Sequence, residues 1–295
     1  MCFIALSTTL SCSKDDVVPP PIAVESVDES AGSPTTRSGS STLLSSWGVN
    51  KNDAGPTETL TFYAKPNTNS PISGGVKVKM YFPNYSTGTT AYYTMSWNSS
   101  SQRYEYQGVI YTLGATSYRF VDSNNNNLTT GNDVVRIYGS ITLNENSVTQ
   151  IYWPFGWDGS TWNNPWAKGK KWEKFASSHS APEENAQDWN WGNGSDDDDR
   201  AFCSPITGVV TAVGWGPSTY GNLIDIEQNL NNGKIIRIRV AHLTQMFVQV
   251  GDFVGPKTII GTIGMTGGSS TAPHLHCALQ LISPTNKSLQ FEFSK

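Results

Sequence analysis

The chain is 295 residues long, with 20 basic against 24 acidic side chains for a net charge of −4, 15% charged residues and 11% aromatics. That length accommodates one large domain or two ordinary ones, and a near-neutral to acidic balance excludes the basic stripe by which proteins grip nucleic acid. Charge well under the roughly 25% of an average soluble protein leaves Ser, Thr, Asn, Gln and Gly to form the polar surface, a composition suited to an extracytoplasmic β protein.

At the amino terminus, residues 2–10 form a short apolar stretch that ends at Ser11-Cys12. A bilayer span needs about 20 apolar residues, so this one is too short to cross. It resembles the end of a bacterial lipoprotein signal, in which a Cys after a small residue is lipidated and becomes the mature amino terminus. Ser13-Lys14-Asp15-Asp16 resembles the acidic export signal of surface lipoproteins in the Bacteroidetes. The resemblance implies a signal remnant over 1–12, a membrane anchor at Cys12 and a place in the cell envelope; a buried first strand is the alternative. Residues 13–43, with Pro19-Pro20-Pro21 and few large apolar side chains, cannot offset their ordering entropy and read as a flexible tether.

Residues 44–151 alternate with period two, as in Val76-Lys77-Val78-Lys79-Met80-Tyr81-Phe82, Tyr104-Glu105-Tyr106-Gln107 and Tyr118-Arg119-Phe120. Turn-rich clusters at 67–75, 84–90, 98–102 and 123–127 separate these runs. Strands at this spacing predict an antiparallel, immunoglobulin-like β-sandwich. It holds no cluster of His, Cys or paired carboxylates and reads as a spacer or interaction module, with glycan contact through exposed Tyr as the lesser option. Seven of the ten Trp then fall between Trp153 and Trp191 with no regular period. Packing of an irregular segment is the preferred explanation, and stacking on sugar rings the alternative.

Over 152–295 the expected strands are 208–215, 223–227, 235–241, 247–250, 259–263 and 276–281, divided by Gly-, Pro- and Asn-rich turns. Asn231-Asn232-Gly233 between two apolar runs is a hairpin signal. No stretch shows sustained helical periodicity, so the chain is expected to be all-β, with an antiparallel carboxy-terminal domain. Cys203 and Cys277 either pair as a disulfide or serve as small core hydrophobes, and the acids Asp196 to Asp199 read as a solvated loop, with calcium binding as the minority option.

All four His lie in this second part: His179, His242, His274 and His276. In a strand, residues i and i+2 face the same way, so His274 and His276 would share a face while Leu275 points to the core. Catalytic zinc takes three deprotonated protein ligands and leaves a fourth position for water. The candidates are His179, an acid following it and one His of the pair. Asp188 is preferred as the acid because Asp188-Trp189-Asn190-Trp191 alternates like a strand, whereas Glu183 sits in a loop-like stretch. The two remaining His can supply a base for the bound water and a donor for the developing oxyanion. Two His and a carboxylate also make the facial triad of non-haem iron oxygenases, which has no use for two further His.

Taken together, His179…Asp188, Tyr220-Gly221-Asn222, Ala241-His242-Leu243, Val250-Gly251-Asp252-Phe253-Val254, Gly261-Thr262-Ile263-Gly264-Met265-Thr266-Gly267 and Pro273-His274-Leu275-His276 resemble the M23 family of zinc metallopeptidases, over roughly the last 120 residues. The resemblance implies Zn2+ held by His179, Asp188 and His276, with His242 and His274 as the catalytic pair, their division of labour left open. It implies hydrolysis of peptidoglycan cross-links or stem peptides by zinc-activated water. The common His-x-x-x-Asp spacing would select Glu183 instead of Asp188, and Val240, Met265 and Cys277 also depart from frequent family residues without removing a ligand. The rival reading is a non-catalytic envelope protein that binds glycan or a partner through the β-sandwich and the Trp-rich surface.

Overall fold

The computed structural model describes residues 43–82, 89–152, 154–155, 172–175, 179–230, 233–256 and 258–294. The leader, the tether up to residue 42, the 84–88 turn, Asn231-Asn232 and Trp153, Trp157, Trp162 and Trp166 lie outside the described residues. Among the described residues every regular element is a strand, an all-β architecture. Contacts divide the described residues into two compact units that meet in the sequence at Ser140/Ile141.

The first unit contains β1 (Leu44–Val49), β2 (Asp53–Ala54), β3 (Thr59–Pro66), β4 (Val76–Phe82), β5 (Thr89–Thr94), β6 (Ser96–Asn98), β7 (Arg103–Val109), β8 (Gly114–Asp122) and β9 (Asp133–Ile137). They form sheets ordered β1-β3-β7-β6 and β2-β9-β8-β4-β5. Period-two patterning does the sorting. On β4, Val76, Val78 and Met80 are buried while Lys77 and Lys79 stay half-exposed. Leu60 and Phe62 from one sheet join Val78, Tyr118 and Phe120 from the other in a single core cluster. Burying each such side chain stabilises by about 1.5–3 kcal/mol.

The second unit contains β10 (Thr142–Leu143), β11 (Ser147–Tyr152), β12 (Trp172–Phe175), β13 (Gln187–Trp191), β14 (Ala201–Cys203), β15 (Gly208–Trp215), β16 (Asn222–Leu230), β17 (Lys234–Ala241), β18 (Gln245–Met246), β19 (Phe253–Val254), β20 (Ile259–Thr262), β21 (Leu275–Ser283), β22 (Lys287–Ser288) and β23 (Gln290–Ser294). The main sheet runs β12-β13-β21-β17-β16-β15-β19, with β22 on β21, and two three-stranded sheets, β14-β20-β18 and β10-β11-β23, accompany it. One face of the main sheet is apolar: Ile224, Ile226, Ile236, Ile238, Val240, Leu275, Cys277 and Leu279 are all essentially inaccessible. The alternate positions Asp225, Arg239 and His276 therefore line the other face, where charge is tolerated only in pairs.

Two expectations are corrected here. Residues 247–250 do not form a strand: the Phe247 N–H makes a last bond to Ile260 O of β20 at 2.9 Å, and Asp252 Oδ2 then accepts the Gln249 N–H at 2.9 Å to close a turn. The acidic run is not wholly solvated, since Asp197 is 0% exposed. Of the two readings for Cys203 and Cys277, the small core hydrophobe is the one the structure shows, since both are buried as free thiols. Strands β10 and β11 pair with one another, and β11 pairs with the carboxy-terminal β23, so by contacts both strands go with the second unit. Of the Trp cluster, Trp191 is buried and Trp172 and Trp189 pack against the core, with Phe155 stacked on Trp172 at a ring separation of 3.4 Å.

Candidate metal centre

Strand register builds the centre of the site. Antiparallel pairing of β13 with β21 sets Asp188 directly opposite His276. His276 Nδ1 lies 3.0 Å from Asp188 Oδ1, and His179 Nε2 lies 3.3 Å from Asp188 Oδ2. One ligand-type atom from each of His179, Asp188 and His276 falls within 4.8 Å of the others. Asp188 and His276 are buried and His179 is half-buried, so the cluster sits at the wall of the fold with one side toward solvent. Two imidazole nitrogens and a carboxylate oxygen form a donor set that suits zinc. Burial pulls His179 below the ordinary imidazole value, against the attraction of Asp188. For His276 burial acts in the same sense, but hydrogen bonds to Asp188 and Glu183 outweigh it and raise its pKa.

His242 stands just past the end of β17 with φ of 67°, in the left-handed region. A non-Gly residue is held there only when its surroundings over-determine it. The His242 N–H donates to Tyr220 O at 3.0 Å, the Leu243 N–H to Asn222 O at 3.1 Å and the Thr266 N–H to His242 O at 3.2 Å. Its Nδ1 is 2.8 Å from Thr266 O. His274 precedes β21, bridged to Gly264, and its Nδ1 is 2.8 Å from Ala272 O. A carbonyl oxygen only accepts, so each imidazole carries a proton on Nδ1, and Nε2 is the nitrogen that is bare in the neutral tautomer. The two rings are 4.7 Å apart, and His274 Nε2 is 3.7 Å from Asp188 Oδ1. Burial is the main force that lowers His242 to about 4, which keeps it neutral at ordinary pH.

The fold thus brings together all five residues singled out from the sequence: His179, Asp188, His242, His274 and His276. Glu183, the alternative acid, is 3% exposed and faces the opposite nitrogen of His276, with Oε2 3.1 Å from Nε2. It also accepts from the Tyr220 hydroxyl at 2.8 Å and from Arg239 Nη1 at 3.2 Å. Burial pushes its carboxyl up, yet the bonds from His276 and Tyr220 and the Arg239 charge hold it below the usual value. Arg239 in turn forks onto Asp225 with two 2.8 Å bonds, which raise its pKa further. Sequence reasoning assigned no role to Arg239 or Asp225. The available signal was the alternation Arg237-Ile238-Arg239 on β17, which puts guanidinium groups on the face that carries His276.

Residues 197–288, which lie within the second unit, match the model of Peptidase family M23. The matched stretch includes His242, His274 and His276, while His179 and Asp188 precede it. Lysostaphin of Staphylococcus staphylolyticus is 37% identical over 84 residues, which is 28% of this chain and 17% of that protein. Lysostaphin of Staphylococcus simulans is 37% identical over 84 residues, 28% of this chain and 16% of that one. The chain therefore spans less than a fifth of the length of these curated relatives. Among solved structures, the antimicrobial peptidase lysostaphin from Staphylococcus simulans aligns at 28% identity and a TM-score of 0.31, over 40% of this chain and 47% of that chain. A zinc-containing peptidase from Vibrio cholerae aligns at 16% identity and a TM-score of 0.31, over 81% of this chain and 80% of that chain.

Proposed function

We propose that the second unit is a zinc-dependent endopeptidase that hydrolyses peptide cross-links or stem peptides of bacterial peptidoglycan, in a chain anchored in the cell envelope through Cys12. The observation that carries this reading is the convergence of His179, Asp188 and His276 within 4.8 Å, beside two imidazoles whose Nδ1 atoms are engaged by backbone carbonyls. His179, Asp188 and His276 would hold the metal. Zinc bound there supplies Lewis acidity, polarising a carbonyl and acidifying a water.

His242 and His274 do the proton work. With Nδ1 held by a carbonyl, Nε2 is the nitrogen each ring turns to the reaction, so one ring in its neutral form takes the proton of the attacking water and later returns it to the leaving amine. The other, carrying a second proton on Nε2 taken up from solvent before the reaction, donates to the oxygen on which charge develops. The carbonyls of Thr266 and Ala272 keep both rings aimed throughout, so little reorganisation is needed at the moment of reaction.

Mass spectrometry of muropeptides released from peptidoglycan by the full chain tests the reading and identifies the bond. His276→Ala is expected to lose bound zinc and all release. His242→Ala or His274→Ala should keep the zinc and slow release by about 10²- to 10⁴-fold, the range for a lost acid–base group. Zinc-free protein that binds sacculi without releasing fragments would overturn the assignment. Lipidation is checked separately by metabolic labelling with a fatty acid, expected to vanish in Cys12→Ala.

A further inference from the structure

A neutral imidazole has one proton for two nitrogens, and a nitrogen that binds metal must be bare. The proton then belongs on the other nitrogen, which in a buried ring needs an acceptor. His276 is buried at 3% exposure, and its two nitrogens face two different carboxylates: Nδ1 is 3.0 Å from Asp188 and Nε2 is 3.1 Å from Glu183. Asp188 belongs to the three-residue donor cluster and Glu183 does not.

We propose that Glu183 is a positioning residue: it holds the proton on His276 Nε2 and so keeps Nδ1 bare and aimed at the His179–Asp188 cluster. This rests on the metal-centre reading above. Glu183 can act so because it is itself immobilised as an anion. Arg239 Nη1 donates to Oε1 at 3.2 Å and the Tyr220 hydroxyl to Oε2 at 2.8 Å. Arg239 is fixed by its two 2.8 Å bonds to Asp225. The relay Asp225–Arg239–Glu183–His276 runs across β16, β17, the turn before β13, and β21. All three groups around Glu183 are donors, so a carboxylate satisfies each of them. An amide in its place must turn its NH2 toward one donor, either Arg239 or the His276–Tyr220 side.

The test measures zinc affinity of the full chain by competition with a chromophoric chelator, for wild type, Glu183→Gln, Glu183→Ala and His276→Ala. Both Glu183 variants are expected to bind zinc about 10- to 100-fold more weakly, as when an outer-sphere partner is lost. Glu183→Gln is nearly isosteric and guards against a variant that fails to fold. Saturating cobalt(II) should give Glu183→Gln the wild-type absorption intensity, because the coordination number is unchanged. Histidine ¹⁵N shifts of the zinc-loaded wild type should place the His276 proton on Nε2. Wild-type zinc affinity in both Glu183 variants, with His276→Ala losing zinc, overturns the proposal and leaves the metal centre standing. A changed cobalt coordination number in Glu183→Gln overturns it in favour of Glu183 as a ligand. Undiminished zinc binding in His276→Ala sinks the metal-centre reading, and the proposal with it.

Discussion

Asp197 is the clearest case of a side chain whose charge works against its position. It is 0% exposed; Oδ2 accepts the Trp191 N–H at 3.4 Å, and Oδ1 has no partner among the described residues. Burial, the dominant cause, pushes its carboxyl up to about 7, opposed by hydrogen bonds and by Arg200. An unfolded Asp titrates near 3.9, so between that value and about 7 the folded chain keeps a proton the unfolded chain has lost. Stability from this group is therefore full below about pH 4 and falls as pH rises toward 7. Asp197→Asn removes the charge and keeps the acceptor. In denaturant unfolding it should match wild type near pH 4 and exceed it at pH 8 by about 2 kcal/mol, a tenfold change in proton affinity being worth about 1.4 kcal/mol. Equal stabilities at pH 8 would show that the carboxylate is accommodated.

At the scale of the element, two loops meet to aim His242. Gly267 has φ of 92°, and a Cβ on it would lie 2.5 Å from Gly221 N and 2.7 Å from Tyr220 C. That approach lets Thr266 present its carbonyl to His242 Nδ1 while its hydroxyl accepts the Asn222 N–H at 2.9 Å and donates to Leu243 O at 3.1 Å. Gly267→Ala should push the loops apart, misaim His242 and cost about 10²-fold in peptidoglycan hydrolysis, the scale of a catalytic group displaced by an ångström. Zinc content at saturating metal should be unchanged, because the altered loops carry none of His179, Asp188 or His276. Loss of zinc with activity would mean that the loops support the whole centre.

For the whole molecule, the telling feature is where the second unit begins. Val148 and Ile151 on β11 are 3% and 0% exposed, and they belong to the same core cluster as Phe291 and Phe293 of β23. A fragment of 152–295 lacks them; one of 141–295 keeps them. Each lost aliphatic contributes about 1.5–3 kcal/mol, and Phe291 and Phe293 would be laid open besides. Urea unfolding should therefore show the shorter fragment to be less stable by several kcal/mol, with a correspondingly lower midpoint, if it folds at all. Equal midpoints would return the boundary to residue 152.

Strand class was legible in the chain because a one-sided sheet writes period-two alternation into it, as on β4, and an interior strand writes a mostly apolar run, as on β21. The four His were legible as a group because so few are present and two are spaced to share a face. Short edge strands such as β12, β19 and β22 were not, since two to four residues carry no period. Nor were the parts played by Glu183, Arg239 and Asp197. A loop-like Glu, a strand Arg and one acid among four look solvated until the fold shows which of them is buried, and against what. Local pattern by itself determined the all-β class and the chemistry on offer. Which carboxylate faces which nitrogen of His276 was decided only by the tertiary structure, because β13–β21 register and packing across distant strands set those distances.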